Sequence, residues 1–227
     1  MDTRSLVLLG HCEFCAEFQN VDNSEFRHLI PSTVLATRNI LTSEHFVVFV
    51  GMGPLPEGYL LLAPRAHHIS YAQVPVEWYP EFLVLKSQVT EMLSSVYTTP
   101  IFFEHGPASV SKRGGCCIEH AHMHAAPVQV DLLQSISNHF QGRRLYSFYE
   151  LKDLGEQKQP YLFYENVKGE RFIFVVPPRI PSQFLRRLLA GELGIPDEWD
   201  WALFPRRQAM IETARKLLSV ALMLNQS

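Results

Sequence analysis

The sequence predicts an α+β protein: an antiparallel sheet meander with one long helix packed on it, plus a C-terminal hairpin and helices. Three observations carry this. Short runs rich in β-branched and aromatic residues recur between Gly- and Pro-containing turns. Pro75 to Val96 repeats apolar residues at helical spacing. His120-Ala121-His122-Met123-His124 alternates with the period of a strand.

The elements follow in order. Thr33 to Asn39 and Phe46 to Val50 read as two strands of a hairpin or meander. An irregular turn over Gly51 to Gly58 leads into a buried strand, Tyr59 to Ala63, which Pro64 ends. In the helix from Pro75 to Val96, Pro75 and Pro80 suit the first turns, and Phe82, Leu85, Val89, Met92 and Leu93 form the apolar stripe. Ile101 to Glu104 is a further strand, and a polar loop precedes the histidine-bearing strand. Gln129 to Phe140 reads as a helix. Pro160 to Tyr164 and Arg171 to Val176 form a hairpin around Lys168-Gly169. Pro181 to Leu193 is a helix with Ser182 as cap and Gly194 as stop, and a last helix runs from Pro205 or Arg206 to Leu224. Trp199-Asp200-Trp201 is expected to pack that C-terminal layer.

Composition narrows the class. In 227 residues, 47% are hydrophobic and 19% charged, as in a globular chain that buries a sizeable core. A formal net charge of −3 gives no global case for nucleic-acid or membrane binding, so recognition of small anions rests on local groups. The longest apolar runs are too short to span a bilayer, and Ser5–Gly10 is too short for a signal-peptide core. A cytoplasmic location is therefore expected.

Four cysteines are present: Cys12, Cys15, Cys116 and Cys117. In a reducing compartment the Cys12-x-x-Cys15 pair reads as half of a zinc site or as a redox pair. The redox reading wants a helix after the motif, and Ala16 to Asn23 is too polar and broken to supply one. Zinc is favoured, and a pair cannot close a tetrahedral site alone. His11 is close enough to be a spare ligand. His67 and His68, just past a strand end, offer another, but they project differently, so only one of them is expected to bind.

Three imidazoles on one strand face lie roughly 7 Å apart from neighbour to neighbour, a spacing that suits ligands, nucleophiles or phosphate donors. The pattern His120-x-His122-x-His124-x-x, with Gly114-Gly115 before it and Pro64-Arg65-Ala66-His67 upstream, resembles the histidine triad (HIT) superfamily over about Cys12 to Val128. The resemblance implies a HIT-like domain at 1–128, with 129–227 as an extension packed on that core. It implies a nucleotide hydrolase in which His122 attacks an α-phosphate through a covalent nucleotidyl-histidine, with His124 donating to a phosphate oxygen. A nucleotidyltransferase or phosphorylase would use the same intermediate with another acceptor, and a HIT-fold binding module would bind without turnover. The neutral imidazole is a competent nucleophile at neutral pH, which agrees. Zinc-containing relatives imply structural zinc held by Cys12, Cys15, His67 and His120, with His68 as the fallback for His67. Homodimers are common in the family, so the resemblance implies a homodimer.

Three positions depart from the family pattern. Gly51 stands where many relatives have a ribose-gripping aspartate, and Cys117 where many have a phosphate-contacting serine. Glu104 or His105 replaces an asparagine. Glu104, His105, Gly115 and Cys117 are accordingly the candidate substrate-binding residues, with backbone N–H groups near Gly115 as donors. Lys112 and Arg113 are candidates to neutralise a polyphosphate tail.

Overall fold

The computed structural model describes residues 12–19, 24–109, 111–112 and 114–224. Eight strands form one antiparallel sheet in the order β1-β2-β3-β5-β4-β7-β8-β6. The strands are β1 (Asn39–Thr42), β2 (Phe46–Val50), β3 (Leu60–Pro64), β4 (Pro100–Gly106), β5 (Met123–Pro127), β6 (Gly142–Leu145), β7 (Tyr161–Glu165) and β8 (Arg171–Val175). The helices are α1 (Glu13–Phe18), α2 (Glu25–Leu29), α3 (Tyr79–Val96), α4 (Leu133–Ser137), α5 (Leu151–Glu156), α6 (Phe184–Glu192) and α7 (Arg207–Leu224).

Both faces of the sheet are covered. Every residue of β2, β3, β4, β5 and β7 is buried, which is why these strands read as apolar runs rather than as alternating patterns. On one face Val48, Leu62, Met123 and Phe163 pack with α3, α5 and α7. On the other, Phe49, Leu61, Phe103 and Leu162 pack with Phe14 of α1, Ile136 of α4 and Leu185 and Leu189 of α6. The α+β class, the long helix and the C-terminal hairpin agree with the sequence reading.

Several boundaries differ, each for a local reason. The first strand is Asn39–Thr42, not residues 33–39. Carbonyls of Leu35 and Ala36 are taken by the Arg27 side chain, and Arg38 is buried against Glu17, so the segment before Asn39 is held by side chains rather than by a ladder. The histidine strand starts at Met123. Pro64, at the end of β3, has no N–H, and β3–β5 pairing reaches only Leu62↔Met123. His120 and His122 therefore sit on the irregular entry to the strand, and only His124 lies within it. Asp131 accepts the Leu133 N–H, starting α4 later than Gln129. A 3-10 turn, Val76–Trp78, takes the place of the first turn of the long helix. Gln183, with φ of 56°, replaces Ser182 as the cap of α6. β6 was not anticipated, since Gly-Arg-Arg-Leu is a mostly exposed edge strand with little apolar signal. Residues after 129 thus extend the same sheet, β7 pairing directly with β4 from Phe102↔Glu165 to Gly106↔Tyr161.

Candidate active site and metal centre

α1 carries the Cys-x-x-Cys pair, so a short helix does form after Cys12. Both thiols turn toward histidines. Cys12 Sγ lies 3.3 Å from His120 Nδ1, and Cys15 Sγ lies 3.6 Å from the same atom and 3.4 Å from His67 Nδ1. One ligand atom from each of Cys12, Cys15, His67 and His120 lies within 4.8 Å of all the others. A tetrahedral zinc ion has N···S edges of roughly 3.6 Å, given Zn–S and Zn–N bonds of about 2.3 and 2.05 Å. The four residues fit that ion.

The protonation pattern fits too. His120 Nε2 donates to the Pro64 carbonyl at 2.7 Å, which leaves the Nδ1 lone pair facing the thiols. Burial holds His120 neutral, with its pKa lowered to about 4. Burial pushes the Cys12 thiol up to about 12, so a thiolate there requires a cation between the ligands. His68 turns elsewhere: its ring edge meets Trp78, and its carbonyl accepts the Ala121 N–H. His11 lies outside the described residues.

Behind the metal cluster lies a pocket lined in part by Phe14, Tyr59, His105, His122, His124 and Arg186. Phe14 joins the two sites, its ring edge-on to His120 at 5.6 Å and to His122 at 5.5 Å. His122 Nδ1 lies 2.6 Å from the His120 carbonyl. A carbonyl only accepts, so Nδ1 carries the proton and Nε2 keeps its lone pair. Burial lowers the His122 pKa to about 4, so the ring is neutral. His124 stacks on Phe103 at 4.5 Å, and its Nδ1 lies 2.8 Å from the Tyr59 hydroxyl. Burial raises Tyr59 to about 12, against the opposing charge of Arg186, so the phenol keeps its proton. Donated to His124 Nδ1, that proton would leave the ring proton of His124 on Nε2.

The other predicted residues divide. Gly115 and Cys117 line the pocket. Gly115 has φ of 81°, and an added Cβ would come within 2.9 Å of the Pro181 carbonyl oxygen; its own carbonyl accepts the Gln183 N–H. The Gly-Gly turn thus seats the approach to α6. Burial raises the Cys117 pKa, keeping it a thiol. His105 lines the pocket, its Nε2 accepting the Leu185 N–H at 3.0 Å. Glu104 does not belong there. Alternation along β4 turns it to the opposite face, where it accepts from Tyr71 N–H at 2.7 Å and Tyr161 O–H at 2.6 Å. Gly51 lines the pocket, but a Cβ there would come within 2.9 Å of the Tyr59 ring. Lys112 is exposed in its loop, away from the pocket, and Arg113 lies outside the described residues.

Among the pocket residues not expected in the site are Tyr59, Arg186 and Trp201. The last two come from the region after 129, and Trp201, expected as packing, borders the pocket.

No family model matches the chain. In sequence it is similar to "Zinc finger CCCH domain-containing protein 59" of Oryza sativa subsp. japonica. The two are 24% identical over an alignment of 208 residues that covers 84% of this chain and 30% of that protein. The chain thus spans less than a third of the length of the curated relative it matches. Among solved structures it matches histidine triad proteins. One is a zinc-bound histidine triad family protein from Mycobacterium smegmatis, with 17% identity, TM-score 0.41, 65% of this chain and 91% of that one. Another is a hypothetical histidine triad nucleotide-binding protein from Sulfolobus tokodaii, with 13% identity, TM-score 0.40, 91% of this chain and 93% of that one. No helix among the described residues is long and apolar enough to cross a membrane.

Proposed function

We propose that this chain is a HIT-like enzyme acting on a nucleotide phosphoanhydride, phosphoester or phosphoramidate. The observation that carries the reading is the His122 tautomer. Nδ1 is bound to the His120 carbonyl, so the lone pair sits on Nε2 in a pocket that also holds His124. In the proposed step, His122 Nε2 attacks the α-phosphorus. A P–N bond forms as the bond to the leaving oxygen (or nitrogen, in a phosphoramidate) breaks and its electron pair departs with the leaving group, while His124 Nε2–H donates to a phosphate oxygen. Water then attacks the same phosphorus, giving up a proton to solvent, and the P–N bond breaks with its electron pair returning to His122. Hydrolysis is the favoured outcome; a phosphate or sugar phosphate acceptor would make the same chain a phosphorylase or transferase.

Zinc is the proposed resident metal, structural because four protein ligands fill a tetrahedral shell. It would fix α1 against the entry to β5 and hold the His120 carbonyl that orients His122. The ligand partner is a small nucleotide or related phosphate compound, and a cytoplasmic homodimer is the proposed state.

Incubation with a panel of nucleotides, followed by mass analysis, tests the reading. The wild-type protein is expected to carry a nucleotidyl adduct on His122. His122→Ala is expected to lose turnover by at least about 10³-fold while keeping about one zinc per chain. Undiminished activity in His122→Ala would remove the mechanism. A native, metal-free protein that stays folded in chelator would remove the zinc.

A further inference from the structure

Arg186 is buried, only 4% exposed, in the wall of the histidine pocket. Its hydrogen-bond partners are all neutral. Nη2 donates to the Gly53 carbonyl at 2.8 Å, and Nε donates to the Trp199 carbonyl at 3.0 Å and to Gln183 Oε1 at 3.2 Å. Its guanidinium lies 5.4 Å from the centroid of the Tyr59 ring. Among the described residues no carboxylate comes within ion-pair distance of it.

Buried Arg38 and half-buried Lys86 are treated differently. Arg38 has both oxygens of Glu17, at 2.7 and 2.5 Å. Lys86 has Glu165 at 2.5 Å. A buried charge without a directly paired counter-charge is costly. Arg38 and Lys86 each have such a carboxylate, whereas Arg186 reaches Asp200 only through Gln183, whose Nε2 donates to Asp200 Oδ1 at 3.3 Å. The position of the charge is specific: Arg186 lines the same pocket as His105, His122 and His124. The pocket also lacks the donor expected of a serine at position 117, where it has a thiol. An anion entering beside His122 would meet Arg186 and would supply the missing counter-charge.

We propose that Arg186 is the anion-binding residue of this pocket, taking the non-bridging oxygens of the phosphate presented to His122. The proposal rests on the phosphate chemistry assigned to the histidine pair. It adds that α6, from the region outside the triad motif, supplies the positive charge. A guanidinium suits the task because its remaining donors match two phosphate oxygens while the others stay on carbonyls.

The test compares full-length, zinc-loaded wild-type protein with Arg186→Gln and Arg186→Lys by titration calorimetry. The probes are nucleoside 5′-monophosphates and the corresponding uncharged nucleosides. Arg186→Gln is expected to weaken the tightest-binding monophosphate about 100-fold, with the matching nucleoside changed less than about 2-fold. Arg186→Lys should fall between the two. Equal weakening of both members of a pair would make Arg186 a structural residue and overturn the proposal, as would an unchanged monophosphate affinity or a wild-type protein that binds no monophosphate. Should Arg186→Gln fail to fold, Arg186→Lys decides: a loss of at least about 10-fold for the monophosphate alone supports the proposal, and anything less overturns it. Adduct formation is scored separately. Arg186-dependent binding without an adduct on His122 would leave the anion site standing while removing the transfer chemistry.

Discussion

His122 and His124 have the same side chain, and their partners make them different reagents. A backbone carbonyl fixes the proton of His122 on Nδ1, whereas His124 Nδ1 meets the Tyr59 hydroxyl, which is able to donate to it. Tyr59 is therefore a positioning residue. Tyr59→Phe keeps the ring against Arg186 and Phe103 and removes only the hydroxyl. It is expected to lower kcat by about 10-fold with KM nearly unchanged, and to cost about 1 kcal/mol in stability. Steady-state kinetics and urea unfolding measure both; an unaltered kcat would show that His124 needs no such partner. At this scale the sequence revealed residues that share a motif. The triad and the Cys-x-x-Cys pair are readable because their members lie close together in sequence, although only His124 of the triad falls in the strand that its alternation predicts. Tyr59, Arg186 and Trp201 are not, because each reaches the pocket from a distant segment through packing alone. Gly51 shows the same limit from the other side: the absent acid was legible, but not the Tyr59 ring that occupies its space.

β4 explains the placement of Glu104 at the scale of an element. The strand runs to Gly106, past the expected end at Glu104, so strand alternation still governs positions 104 and 105. His105 shares the face of Phe103 and His124, and Glu104 faces Tyr71 and Tyr161 instead. Burial there raises the Glu104 pKa to about 7 from an ordinary 4.5, while the hydrogen bonds from Tyr161 and Tyr71 oppose the rise. A carboxyl with a raised folded pKa contributes stability that is complete below pH 4.5 and is lost as pH climbs through 7. Between those limits the unfolded chain ionises freely and the folded one resists. The loss is on the order of 3 kcal/mol. Glu104→Gln keeps an amide oxygen for the Tyr71 N–H and cannot ionise, so its stability should be flatter across the same range. Urea unfolding at pH 5, 6, 7 and 8 distinguishes the two; parallel curves would show that Glu104 stays charged throughout.

The whole molecule is one sheet, and its strand order makes the region after 129 part of the same structure as the triad. β7 continues the ladder of β4 over five residue pairs, and β8 and β6 follow it outward. The hairpin β7–β8 was legible from its turn and its aromatic runs, but which edge it joins was not, because strand pairing over so long a sequence separation leaves no local trace. The consequences reach both faces. Met210, Ala214 and Leu217 of α7 fill the core beside β1 and β2, while Leu185 and Leu189 of α6 cover the pocket side. Removing 129–227 would open the β4 edge, strip apolar cover from both faces and take Arg186 and Trp201 out of the pocket. An exposed, apolar edge strand is a template for aggregation. The fragment 1–128 is therefore expected to be expanded or aggregated even with zinc present, with poor dispersion in its amide spectrum. The full chain should give one cooperative unfolding transition, since no break in the sheet separates two cores. A well-dispersed, monomeric 1–128 fragment that binds zinc would show instead that the triad half folds alone and that the later strands are an addition to it.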